Sequence, residues 1–146
     1  MQTQGPWSRT EIDDYLQTAR FPMRLACHAA DDFPRIVSLW YLWQDSTLLC
    51  VTHRNAALVR QLTRDARVGF EIATNDAPYY GVRGTARAQL MPLGDSDLLE
   101  RLILRYLGST DSALAQWLLS RRAEEMLIRL APRTLSSWDY RARMQR

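Results

Sequence analysis

Between Tyr79 and Leu90 the chain alternates. Tyr80, Val82, Gly84, Ala86, Ala88 and Leu90 fall on one face, and Tyr79, Arg83, Thr85, Arg87 and Gln89 on the other. A period of two held over this length is a strand with one side against a core and one side in water, so the chain must build an antiparallel sheet with a covered face. Neighbouring segments share this character. FPMRLACHA and RIVSLWYLW read as apolar strands on either side of a turn-like DDFP. Gln44, Asp45 and Ser46 then turn the chain into TLLCVT, and two apolar runs with so short a polar link make a hairpin. RVGFEIAT and EMLIRLAP bring the number of expected strands to six.

Helices fill the gaps. Ser8 and Glu11 have capping-box spacing, and Ile12, Tyr15, Leu16 and Ala19 form one stripe, which predicts a helix over about 9–19. In THRNAALVRQL the strand converts to helix near Asn55, with Leu58 and Leu62 spaced to face a core and an end around Asp65. Leu98, Leu99, Leu102, Ile103, Tyr106 and Leu107 form a third stripe that stops at Gly108. A further helix over about 112–123 is expected to turn Leu114, Trp117 and Leu118 inward. The expected organisation is one domain over 1–146: strands over about 21–91 and 124–132, helices over about 95–123, and a C-terminal tail over 133–146. Strands adjacent in sequence and joined by turns give a mainly β or α+β architecture, a small antiparallel barrel with helices at its ends.

A chain of 146 residues with 47% hydrophobic content can bury one sizeable core. Its apolar runs fall short of the roughly 20 residues of a membrane span, and MQTQGPWSRTE lacks the apolar centre of a signal peptide, so the expectation is a cytoplasmic protein with no membrane contact. The net charge is +3, with acids interspersed among the bases, which argues against nucleic acid as a partner. Cys27 and Cys50 lie in apolar strands without metal-ligand spacing and are expected as buried free thiols, with no metal site. The chain has no lysine, so any anion site must use arginine, histidine or backbone N–H groups. No Ser-His-Asp arrangement, Gly-rich phosphate loop or paired carboxylate motif is present, and no catalytic side chain is nominated.

PRIVSLWYLW with its hairpin into LLCVT, then VRQLTRDARVGFE, YYGVRGTARA, RYLG and LAPRTLSSWDY follow one another across about 25–140. In this order and spacing they resemble the pyridoxamine 5′-phosphate oxidase-like family of flavin-binding split-barrel proteins. The resemblance implies a six-stranded antiparallel split β-barrel with flanking helices. It also implies a homodimer with two cofactor sites at the subunit interface, holding FMN in most members and a deazaflavin, haem or a bilin in others.

Carried over by position, Ser38, Leu39 and Trp40 would flank the flavin ring, and Val51 and Thr52 would lie beneath it. Arg54 matches a basic phosphate-contacting position, His53 lines the pocket beside it, and Trp138 anchors the C-terminal tail, across the dimer interface. Where many members have Ser, Arg and Lys, this chain has Ala56, Ala57 and Leu58, and a lysine at position 58 is expected to tighten FMN binding. The resemblance implies an FMN-binding oxidoreductase in which the flavin carries hydride or electron transfer to a small-molecule substrate. The alternatives are a non-catalytic dimeric barrel that has lost flavin, and a deazaflavin- or haem-binding relative, haem requiring an axial ligand from His28 or His53.

Overall fold

The computed structural model describes residues 1–145. Its strands are β1 (Gln2–Gln4), β2 (Met23–His28), β3 (Pro34–Leu39), β4 (Leu42–Gln44), β5 (Thr47–His53), β6 (Arg67–Ala73), β7 (Tyr80–Pro92) and β8 (Glu125–Asp139). The helices are α1 (Arg9–Thr18), α2 (Ala57–Arg64), α3 (Leu98–Leu107), α4 (Ala113–Ser120) and α5 (Arg141–Met144). One sheet runs in the order β3-β2-β6-β7-β8-β5-β4, with β1 joined to β8 in parallel. Every pairing along the main order is antiparallel.

The run RIVSLWYLW, expected as one strand, is two. β3 ends at Leu39 and β4 begins at Leu42, yet these strands are the opposite edges of the sheet. Three residues span at most about 11 Å. The sheet must therefore curl until its edges approach, with only the chain itself crossing the gap. The result is an unclosed α+β barrel, with eight strands where six were expected.

Alternation then sorts the side chains. Met23, Leu25 and Cys27 of β2, Leu48 and Cys50 of β5, Phe70 and Ile72 of β6, Val82 of β7, and Ile128 and Leu130 of β8 fill the interior. Ile12 and Leu16 of α1 and Leu58 and Leu62 of α2 pack against the same core. Each fully buried side chain of this kind is worth about 1.5–3 kcal/mol. The outward faces of Leu49, Val51 and Leu127 pack instead against a second cluster made by Leu98, Leu99, Leu102 and Ile103 of α3 and Ala115 of α4. Trp43 belongs to the first cluster and Trp40 to the second, the opposite orientations that their spacing of three predicts.

Ser8 and Glu11 form the expected capping box, the Ser8 hydroxyl accepting from the Glu11 N–H and the Glu11 carboxylate from the Ser8 N–H. α4 departs from expectation. Ala115 is buried and Leu118 half-buried, but Leu114 and Trp117 are 49% and 53% exposed. ALAQWLLS is apolar on nearly every side, so its pattern does not select a buried face; the Arg121 guanidinium lies 4.4 Å from the Trp117 ring centroid.

The segment expected as a tail from 133 is strand as far as Asp139, followed by α5, and residue 146 lies outside the described residues. Pro132 marks no strand end, because the register shifts there: Thr85 faces Thr134 and Ala86 faces Pro132, leaving Arg133 as the extra residue of a bulge. Beside the bulge the strands close tightly. A Cβ at Gly84 would collide with the Thr134 carbonyl oxygen and lie 2.7 Å from the Phe70 ring. Cys27 and Cys50 are free and buried, and burial pushes both thiols up. Among the described residues no helix is long and apolar enough to cross a membrane.

Candidate functional site

β5 hands over to α2 through a short, heavily bonded junction. The Arg54 N–H donates to the Glu124 carbonyl at 2.8 Å, and the Ala56 N–H to the His53 carbonyl at 2.9 Å. The Asn55 N–H donates to His53 Nδ1 at 3.1 Å, which makes that nitrogen an acceptor. His53 Nε2 therefore carries the proton and donates it to Glu124 Oε2 at 3.0 Å. This donation holds the Glu124 carboxyl below its usual value. Both imidazole nitrogens are thus used in bracing the turn. Arg54 is exposed and has no acidic partner among the described residues. Ala56, the N-cap of α2, offers no side-chain acceptor to the first helical turn, whose N–H groups carry partial positive charge.

Next to this helix start, α2 and the β2–β3 hairpin enclose a cavity of about 430 Å³ lined by Ala29, Ala30, Asp31, Arg35, Ala57, Arg60, Gln61 and Arg64. Three guanidinium groups and one carboxylate line it, and a second carboxylate, Asp32, lies 3.9 Å from Arg64 Nη1. Arg60 and Arg64 are four residues apart and share a helix face. Arg60 Nη1 donates to the Asn55 carbonyl at 3.1 Å. Arg64 Nη2 donates to the carbonyls of His28, at 3.1 Å, and Ala29. Each arginine carries five N–H donors, so these bonds position the side chains and leave donors over for an anion. Arg60 and Arg64 lie about one and two turns along α2 from Ala57, and Arg35 faces them from the hairpin. Sequence reasoning missed all three arginines. The i,i+4 spacing of Arg60 and Arg64 was the available signal, whereas Arg35 joins them only through the fold.

The other nominated residues are spread more widely. Ser38 is exposed, opposite Arg24 on β2. Leu39 packs on the barrel core. Trp40 is stacked on Tyr106, with ring centroids 5.1 Å apart and planes at 5°, and together with Val51 it packs against the second cluster. Thr52 is half-buried opposite Met126. Leu58 is 5% exposed and lies in the main core, so a longer charged side chain there would not reach the cavity without leaving the core. Trp138 sits on β8 opposite Gly81, its ring 5.2 Å from that of Tyr140, and its Nε1 is buried without an acceptor among the described residues. Of residues 53–58 only Ala57 lines the cavity, Leu58 lies in the core, Trp40 and Val51 share one packing layer, and Trp138 stands apart from both.

The outer face of β2, β3, β6, β7 and β8 forms a separate groove of about 620 Å³, floored by Ala26, Gly69, Gly84 and Thr85 and edged by Ile36, which is 73% exposed. Arg24, Glu71 and Arg83 cross it as one cross-strand row. Among the described residues no group of three or more His, Cys, Asp or Glu side chains is placed to hold a metal ion.

No protein-family model matches the chain. No curated protein matches it by sequence. Solved structures do match. A conserved hypothetical protein from Mycobacterium tuberculosis superposes with a TM-score of 0.80 at 23% identity, over 93% of this chain and 87% of that one. An F420 reductase gives 0.67 at 21% identity over 84% of this chain and 94% of that one. An FAD-binding protein from Mesorhizobium loti gives 0.61 at 21% identity over 90% and 93%. The chain has the split-barrel fold of the pyridoxamine 5′-phosphate oxidase-like proteins.

Proposed function

We propose that this protein binds a flavin-type cofactor, FMN, and works as an oxidoreductase on a small-molecule substrate. The observation that carries the reading is the convergence of Arg35, Arg60 and Arg64 on one cavity beside the start of α2. Guanidinium groups hold phosphate bidentately, and the helix N-terminus adds to the same field. A bound flavin supplies the hydride or electron transfer, and the protein supplies binding, orientation and polarity around the ring. This division of labour agrees with the absence of a nominated acid–base pair. In this reading Ser38 and Leu39 at the end of β3 would contact the ring, and Thr52, Arg54 and Ala56 would lie toward the phosphate. Trp40 and Val51 would brace this region from the α3 side and Leu58 from the barrel core.

Two of the compared structures carry names that point to this chemistry, an FAD-binding protein and an F420 reductase, which makes a deazaflavin the second cofactor to test. Both nitrogens of His53 are engaged, which leaves His28, on the lining of a cavity between β2, β6 and β7, as the residue a haem would have to use. We further propose a homodimer inside the cell, supported by Phe33 and Ile36, which stand 70% and 73% exposed on the β2–β3 hairpin. A second reading, a dimeric barrel without flavin, draws on the loss of side-chain donors at Ala56 and Ala57. Gel filtration after incubation with FMN, with a deazaflavin and with haem separates them. An FMN absorption band co-eluting with a dimer supports the proposal. Protein that elutes colourless after all three leaves the second reading.

A further inference from the structure

We propose that the outer face of the sheet carries a second binding site, independent of the cofactor cavity, for a phosphate monoester with a small apolar body, gripped by Arg87 and Arg133. The barrel's register creates it. Arg67 on β6 lies directly opposite Arg87 on β7, a like-charge cross-strand pair that destabilises an empty sheet. Arg133 is the bulge residue of β8 facing the same stretch of β7, and a bulge re-aims the side chain it adds. All three arginines line one cavity of about 320 Å³, and no acidic residue lines it with them.

Arg67 is answered by Asp65 at 2.8 Å, outside the cavity lining. Arg87 and Arg133 have no acidic partner among the described residues, so together they present about two uncompensated positive charges. A phosphate monoester carries a charge of about −1.5 to −2 near neutral pH. The cavity shares Ala26, Gly69 and Thr85 with the larger outer groove, so a ligand whose phosphate sits among the arginines lays its body on a floor of small side chains. The three arginines lie on β6, β7 and β8, while His28 and Pro34 of the β2–β3 hairpin close the cavity's other side and Ile36 pairs with Ala26 of its lining, so the site opens at the margin of the proposed dimer surface.

Calorimetric titration of the full chain with phenyl phosphate, with inorganic phosphate and with phenol tests this. Phenyl phosphate is expected to bind, inorganic phosphate more weakly, and phenol not at all. With FMN at saturation to occupy the other cavity, Arg87→Gln and Arg133→Gln should each weaken phenyl phosphate at least tenfold, while Arg101→Gln on α3, outside both cavities, leaves it unchanged. A second readout needs no ligand: in phosphate-free buffer Arg87→Gln should raise Tm by relieving the Arg67–Arg87 opposition. The proposal is overturned if wild-type protein does not bind phenyl phosphate, if Arg101→Gln weakens it as much as Arg87→Gln, or if Arg87→Gln lowers Tm.

Discussion

His53 Nε2 donates to Glu124 Oε2 at 3.0 Å while His53 Nδ1 accepts the Asn55 N–H at 3.1 Å, so one neutral imidazole ties the end of β5 to the segment preceding β8. The bond lowers the Glu124 carboxyl from its usual 4.5, largely because the ionised form is the one His53 donates to. A depressed carboxyl contributes stability above its unfolded value, and that contribution is lost as pH falls through the lowered folded value. Glu124→Gln should therefore reduce Tm near neutral pH and match wild type in strong acid. Thermal melts of both proteins across the acid range check this; a constant difference at all pH would contradict it.

Positions 57 and 58 separate charge from core. Leu58 is 5% exposed and packs in the barrel, so Leu58→Lys places an ammonium where nothing pairs with it, at a cost of roughly 3–5 kcal/mol. Ala57 is exposed and lines the arginine cavity. Ala57→Lys should leave the denaturation midpoint nearly unchanged and tighten FMN about tenfold, one added charge-assisted contact. Fluorescence titration and urea melts of the two variants distinguish the positions.

At the other end of the barrel, the Ser8 hydroxyl accepts the Glu11 N–H at 3.2 Å while the Glu11 carboxylate accepts the Ser8 N–H at 2.6 Å. Ser8→Ala removes one half of this box and should cost roughly 0.5–2 kcal/mol. The expected signature is a lower urea midpoint at unchanged slope. A changed slope would mean that the loss spreads beyond α1.

Features set by neighbours along the chain are legible in the amino-acid sequence itself. The two faces of β7, the inward Leu58 and Leu62, the opposed Trp40 and Trp43 and the Ser8 cap all follow from a local period or a spacing. What the sequence hides depends on distant partners. RIVSLWYLW is one apolar run, and nothing within it says that Trp40 and Tyr41 cross from one sheet edge to the other. Pro132 reads as a stop, and only pairing with β7 shows that a bulge absorbs it. Arg35 and Arg64 are 29 positions apart in the chain and meet because α2 folds over the β2–β3 hairpin. The anion cavity could not be assembled from THRNAALVRQL alone.

The central claim is that Arg35, Arg60 and Arg64 hold the phosphate of a flavin. Quenching of FMN fluorescence, titrated with wild-type protein and with Arg60→Gln and Arg35→Gln, tests it most directly. Saturable quenching by wild type is expected, weakened roughly ten- to a hundredfold in each variant, as loss of a charge-assisted phosphate contact requires. Riboflavin, which lacks the phosphate, should bind wild type and both variants equally weakly. Wild-type protein that fails to quench FMN, or that binds FMN and riboflavin alike with no effect of either substitution, would contradict the claim.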